Sequence, residues 1–179
     1  LEPRVDRTGT GHVFGSPTGD YMGLTCFLNG SLARERVRNK YGLDWKSFSE
    51  AMRVTPPGNN DCIMFPWFEP EITPDVSAPG VRRVSLDAED PARNVRAVVE
   101  AQMMALANHS RWMAVEVDVI HATGGAAVNT DILQVMADVF DAQVLRFEVS
   151  NSACLGAALR AYHADAAVAG NDLSWEEVV

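Results

Sequence analysis

The run Ala122-Thr123-Gly124-Gly125-Ala126-Ala127-Val128-Asn129 holds two adjacent glycines and an amide side chain, a set suited to a ligand lying against the main chain. Glycine removes the Cβ that would keep a ligand away from the backbone. Asn129 offers both a donor and an acceptor to a heterocycle or a ribose. The run is not G-x-G-x-x-G, and no Gly-Lys-Ser/Thr follows it, so neither a dinucleotide fingerprint nor a Walker loop is present. On the residues alone a ligand-binding turn and a plain tight turn both remain open. Gly9-Thr10-Gly11 could turn backbone N–H groups toward a phosphate. It opens no helical pattern, however, and sits among Pro3, Asp6, Gly15, Pro17 and Gly19, which reads as ordinary loop.

Other chemistry-bearing residues point less sharply. Glu69, Glu71 and Asp75 lie beside Trp67 and Phe68 in a proline-punctuated stretch. Carboxylates so placed could do acid–base work or hold Mg²⁺, but a solvated, stiffened loop is their commoner meaning. Trp45 is either a core residue or a stacking platform. Arg34, Arg36, Arg38 and Lys40 read as a wet helix face. Cys26, Cys62 and Cys154 show no CxxC or CxxH spacing and read as reduced, buried thiols. His12, His109, His121 and His163 lack metal-ligand spacing, so no metal site is expected.

The elements that must position these residues can be read from periodicity and punctuation. Residues 1–20 read as loop with at most a short strand, and Met22 to Leu28 as a strand or the approach to a helix. Asn29-Gly30-Ser31 offers a cap to a helix over Leu32 to Arg38, ended at Gly42. Asp44 caps a second helix carrying Trp45, Phe48 and Met52. Thr55-Pro56-Pro57-Gly58 stops it. Cys62 to Phe68, interrupted by Pro66, predicts an edge or irregular strand, and Val81 to Leu86 a short one. Asp90-Pro91 opens the longest helix, with Val95, Val98, Val99, Met103 and Leu106 on its inner face. Then Val117–Thr123, Thr130–Phe140 and Gln143–Phe147 predict strand, helix and strand, which implies a parallel pair. Ser152 to Tyr162 predicts a small-residue helix that packs on a sheet. Residues 1–165 form one α/β domain on this reading, with an acidic tail over 166–179.

The chain's 179 residues, 47% of them hydrophobic, suffice for one real core. The net charge of −9 argues against nucleic acid. No apolar run approaches the roughly 20 residues that cross a bilayer, and no signal peptide opens the chain. A cytoplasmic domain without membrane contact is expected.

Several strings, taken together and in order, resemble the FGGY carbohydrate kinases, most closely the subgroup acting on D-xylulose. They are Gly124-Gly125-Ala126-x-x-Asn129 followed by Ile132 to Val144, then Asn151-Ser152-Ala153-Cys154-Leu155-Gly156 with Arg160-Ala161-Tyr162-His163. Upstream, Cys26-Phe27-x-Asn29-Gly30-Ser31-Leu32-Ala33-Arg34-Glu35, Glu71-Ile72-Thr73-Pro74 and Val95 to Glu100 add to them. The resemblance implies a ribonuclease-H-like, actin-like lobe, the C-terminal half of a two-lobe kinase. It implies ATP as cofactor, with Mg²⁺ bound through the nucleotide. Gly124, Gly125, Ala126 and Asn129 would hold adenine and ribose, and Trp45 would lie beside the nucleotide. The γ-phosphoryl would pass to O5 of D-xylulose. The catalytic base, the sugar site and the phosphate loop would lie upstream of Leu1, in an N-terminal kinase domain that is the expected partner. Gly9-Thr10-Gly11 would then be a decoy, Asp6 not the base, and the chain inactive alone. A homodimer stays open. Two departures from the family pattern are Pro70-Glu71-Ile72-Thr73-Pro74, without the usual arginine, and Asp141 where a glycine is usual. The alternatives are a non-catalytic assembly module of the same fold, a kinase for another sugar or polyol, and another actin-like ATPase.

Overall fold

The computed structural model describes residues 4–16, 19–147 and 151–178. The loop expected at Leu1-Glu2-Pro3 and at Pro17 lies outside those residues. Strands β1 (Gly11–Gly15) and β2 (Tyr21–Thr25) form an antiparallel hairpin. Helices α1 (Ser31–Lys40) and α2 (Trp45–Val54) follow. A second antiparallel pair, β3 (Ile63–Trp67) and β4 (Gly80–Val84), precedes the long helix α3 (Pro91–His109). Then β5 (Val119–Ala122), α4 (Thr130–Phe140) and β6 (Gln143–Arg146) make a strand–helix–strand unit with β5 and β6 parallel. Helices α5 (Ser152–Val168) and α6 (Trp175–Val178) end the described chain. Among the described residues no helix is long and apolar enough to cross a membrane.

Local chemistry explains the helix ends. At the close of α1, Gly42 sits at φ +63, its N–H bonding Asn39 O while Leu43 N bonds Arg38 O. That pair of bonds is the Schellman stop, which needs a left-handed residue and so favours glycine. Asp44 and Asp90 cap α2 and α3 by accepting from Ser47 N at 2.7 Å and Arg93 N at 3.1 Å. The cap expected for α1 does not form: Gly30 is its N-cap without a side-chain bond. Asn29 is instead committed to Glu69 and Glu71, across the loop after β3.

The core gathers around α3. Val95, Val98 and Val99 are fully buried, and they meet Ala33 and Val37 of α1, Phe48 and Met52 of α2, Met64 of β3 and Ile132 and Val135 of α4 in one cluster. Each such side chain contributes about 1.5–3 kcal/mol through burial, so α3 fixes the relative placement of α1, α2 and α4. A buried ion pair reinforces this: Arg96 Nε donates to Glu100 Oε1 at 2.6 Å, and the same oxygen accepts from Gly58 N at 2.9 Å. The β1–β2 hairpin packs very closely on the segment after α3. A Cβ on Gly11 would come within 2.4 Å of the Trp112 ring, and one on Gly23 within 2.9 Å of Met113 Sδ.

Three expectations need correcting. Only Cys62 is a buried thiol; Cys26 and Cys154 are exposed. Apolar neighbours in sequence did not bury them. Helix α5 does not bed onto a sheet: Ala166 is its one buried residue among those described. The β5–β6 pair has only two strands, about 4.8 Å apart, and a small-residue helix has little area to bury against it. Finally, α5 runs past its expected end at Tyr162 to Val168, and Trp175 of α6 stacks on His163 at 4.3 Å.

Candidate functional site

The turn between β5 and α4 shapes one wall of a groove. Gly124 takes φ +84 with ψ −176, a combination open essentially to glycine. A short 3-10 turn over Gly125–Val128 then leads to Asn129, the N-cap of α4. Asn129 Oδ1 accepts from Asp131 N at 3.1 Å and Ile132 N at 3.2 Å. Its Nδ2 donates to Ser49 Oγ on α2 at 2.9 Å. The side chain expected to serve a ligand thus holds α4 to α2, and its acceptor is spent on two backbone N–H groups. Sequence spacing signals such a cap as readily as a ligand contact, because Asn before an apolar-periodic run is the usual N-cap pattern.

A second clasp joins the same helices. Arg53 Nε and Nη2 donate to the Asp131 carboxylate at 2.9 and 3.0 Å. These bonds hold the Asp131 carboxyl below its usual range and raise the Arg53 guanidinium in return.

Between the clasped walls lies a groove of about 680 Å³. Gly125, Ala126 and Asn129 line it from the turn, Trp45, Ser49 and Arg53 from α2, and Ser31, Arg34 and Glu35 from α1. Four of the five residues expected at a nucleotide therefore meet in one groove, and Gly124 forms the turn that delivers them. Trp45 is 41% exposed, so it is not core. Its ring carries the Arg38 guanidinium at 4.5 Å and meets Phe48 edge-on at 5.3 Å. A cavity of this size and mixed lining is of the kind that takes a small ligand.

Arg34 is what reading by composition missed. Arg36, Arg38 and Lys40 do lie on the outer side of α1, but Arg34 is 93% buried, at 7% exposure. It lines this groove and also a second, more apolar one of about 560 Å³ walled by Phe27, Phe65, Trp67 and Met103. Helical period could have found it, since Ala33, Arg34 and Val37 form one inward stripe.

The other candidate carboxylates and loops have structural duties. Glu71 is buried rather than solvated. Its carboxylate accepts from Leu28 N at 2.7 Å, Asn29 N at 2.9 Å, Asn29 Nδ2 at 3.0 Å and Ile72 N at 2.9 Å. Burial alone would raise its pKa, but those four bonds outweigh it and hold the group below its usual value. Glu69 pairs with Arg36. In the Gly9-Thr10-Gly11 loop the backbone donors already have an anion. Asp6 accepts from Thr8 N at 2.9 Å, Thr10 N at 3.0 Å and Gly11 N at 2.7 Å, so no phosphate cradle is left. Those bonds, with the Thr8 hydroxyl foremost, keep the Asp6 carboxyl strongly ionised. Asp141, at the family's glycine position, adopts φ +49 and closes α4 in the left-handed region.

The fold and groove together define one lobe of an α/β protein, with a strand–turn–helix unit facing a helical pair across a ligand-sized cleft. The sequence profile of the C-terminal domain of the FGGY family of carbohydrate kinases matches residues 12–164. The chain belongs to that family. It is 39% identical over 180 residues to the xylulose kinase of Rattus norvegicus, covering 94% of this chain and 33% of that protein. Among solved structures, the ligand-bound xylulose kinase of Lactobacillus acidophilus superposes with a TM-score of 0.77 at 21% identity, over 90% of this chain and 34% of that one. The gluconate kinase of Lactobacillus acidophilus superposes at 0.73 with 19% identity, over 84% and 32%. The fold is the ribonuclease-H-like, actin-like lobe of these kinases. The chain spans about a third of the length of the curated relatives it matches.

Proposed function

We propose that this chain is the nucleotide-side lobe of an ATP-dependent sugar kinase. The whole protein transfers the γ-phosphoryl of ATP to O5 of D-xylulose, releasing ADP and D-xylulose 5-phosphate. The observation that carries this reading is the 680 Å³ groove, in which the Gly125-Ala126 turn, Asn129 and Trp45 converge although they lie about 80 residues apart in the chain. The ketose rests on likeness to the rat enzyme, since a gluconate kinase shares the fold equally well.

In this lobe Gly125 and Ala126 admit the adenine and ribose against the backbone. Gly124 aims the turn and Trp45 forms the rim of the base site. Asn129 acts as a positioning residue through the α4 cap. Among the described residues no group of three or more His, Cys, Asp or Glu side chains gathers to hold a metal ion. Mg²⁺ would be carried on the triphosphate, where it would neutralise charge. The base that takes the sugar proton, and the sugar site, belong to the preceding lobe, residues 1–165 forming this one with 166–179 as an acidic extension. Transfer is then a matter of positioning and charge stabilisation across the cleft.

The test is ADP release by the whole protein with MgATP and a panel of D-xylulose, other ketoses, gluconate and glycerol. D-Xylulose is expected to give the highest kcat/KM. A different best substrate would reassign the sugar, and turnover of none would leave only a non-catalytic module of this fold.

A further inference from the structure

Arg34 presents a cation that the described residues leave without a counter-charge. Its guanidinium is withdrawn from water, which disfavours the charged form and lowers its pKa; Glu35, next along α1, works weakly the other way. No carboxylate lies within ion-pair distance of it among the described residues. Among the described residues its one acceptor is the Gln102 side chain on α3, to which Nη1 donates. The Gln102 amide cannot turn away, because its Nε2 donates to Asn29 O and to Gly30 O, both at 2.7 Å. Oε1 is therefore fixed toward Arg34, and a neutral amide aims the guanidinium without cancelling its charge. A buried charge with no counter-charge is costly. Such a cost persists where a ligand removes it.

The rest of the groove narrows what that ligand group is. The N–H groups at the start of α4, a natural anion site, are occupied by Asn129. Arg53 is held by Asp131. Lys46 lines the same groove but stands exposed on its rim, where water screens it. Arg34 is thus the one desolvated guanidinium lining the groove with donors to spare, for it has five N–H groups and one acceptor. A neutral base or ribose would not balance it, whereas a phosphate oxygen would. Resting on the nucleotide reading above, we infer that Arg34 binds a phosphate group of the nucleotide, positioned for it by Gln102. The planar fork of arginine suits two phosphate oxygens at once, which a lysine ammonium does not reproduce.

The experiment compares ATP, ADP and adenosine on the whole protein, as wild type, Arg34→Gln and Arg34→Lys. ATP and ADP dissociation constants come from calorimetry, and the adenosine constant from competition against ATP. Loss of a charge-assisted contact predicts ATP and ADP constants about 10- to 100-fold weaker in Arg34→Gln. Adenosine should stay within about twofold, and Arg34→Lys should fall between. Equal weakening of all three ligands would overturn the inference, since it would show that Arg34 only holds the groove's shape. An unchanged ATP constant would overturn it too, showing that its counter-charge comes from elsewhere in the protein. Should Arg34→Gln fail to fold, Arg34→Lys decides alone: an ATP-to-adenosine ratio equal to wild type refutes the phosphate contact. Failure of the wild type to bind ATP or ADP would refute the nucleotide reading itself, and is seen before any variant is compared.

Discussion

Replacing Asn129 by alanine separates the capping role seen in the structure from the direct ligand contact that the sequence suggested. The side chain accepts from Asp131 N and Ile132 N and donates to Ser49 Oγ. Removing an Asn N-cap costs about 1 kcal/mol, within a range of about 0.5–2. The lost bond to Ser49 adds about 1 kcal/mol, because that hydroxyl lies on a buried residue. Asn129→Ala is therefore expected to destabilise by about 1.5–3 kcal/mol, read as a lower urea midpoint at unchanged slope. Asn129→Asp retains the one cap acceptor that serves both N–H groups, and its second oxygen can share the Ser49 hydroxyl proton with Asp131. Its cost should stay below about 0.5 kcal/mol. The aspartate nevertheless adds a negative charge beside Asp131 in the groove, so ATP should bind more weakly although the fold is intact. Equal destabilisation by the two variants would refute the cap argument. So would an alanine variant of undiminished stability that had lost ATP affinity, which would restore Asn129 as a direct contact.

The two glycines of the turn should fail in different ways. Gly124→Ala meets no atom within 4 Å but forces a Cβ onto φ +84, a strain of about 1–3 kcal/mol that thermal melting will register. Gly125→Val also meets open space, at ordinary φ and in the groove lining, so the melting temperature should hold while KM for ATP rises more than KM for sugar. Glu71→Gln should cost about 2–4 kcal/mol at neutral pH, since a Gln amide supplies one acceptor oxygen in place of two charged ones. The sign with pH follows from the lowered carboxyl. Its contribution is complete above the ordinary value of 4.5 and is lost as pH falls through the lower folded value. Wild type should therefore lose stability below about pH 4.5 more steeply than Glu71→Gln, as parallel denaturant titrations will show; parallel curves would refute the carboxylate's role.

What the sequence discloses tracks the range of the interaction concerned. Helix α3 was legible because its signals are local: Asp90 and Pro91 at the start and an apolar stripe through Met103. The strand–helix–strand unit around α4 was legible for the same reason. Glu71 was not, because three of the four N–H bonds that hold it ionised come from Leu28 and Asn29, more than 40 positions earlier. Arg34 falls between these cases. Three neighbouring basic residues made it look like part of a solvated face, although its place beside Ala33 on the helix wheel pointed inward. The misjudged cysteines share one cause with α5: apolar or small neighbours along the chain do not specify a surface to pack against.

The groove is built by elements that each pack on α3. Its floor and walls come from α1, α2 and the start of α4, and all three bury their inner faces in the cluster around Val95, Val98 and Val99. The clasps Arg53–Asp131 and Asn129–Ser49 then set the distance between α2 and α4. A substitution that breaks either clasp changes the groove by moving a wall, so its effects on folding and on binding must travel together. Gly125 and Arg34 differ, because neither joins the α2 and α4 walls. Gly125 has no Cβ to support one, and Arg34 is held from α3 by Gln102. Binding defects that leave stability alone should therefore concentrate at these two positions, one acting through space beside the base and the other through charge.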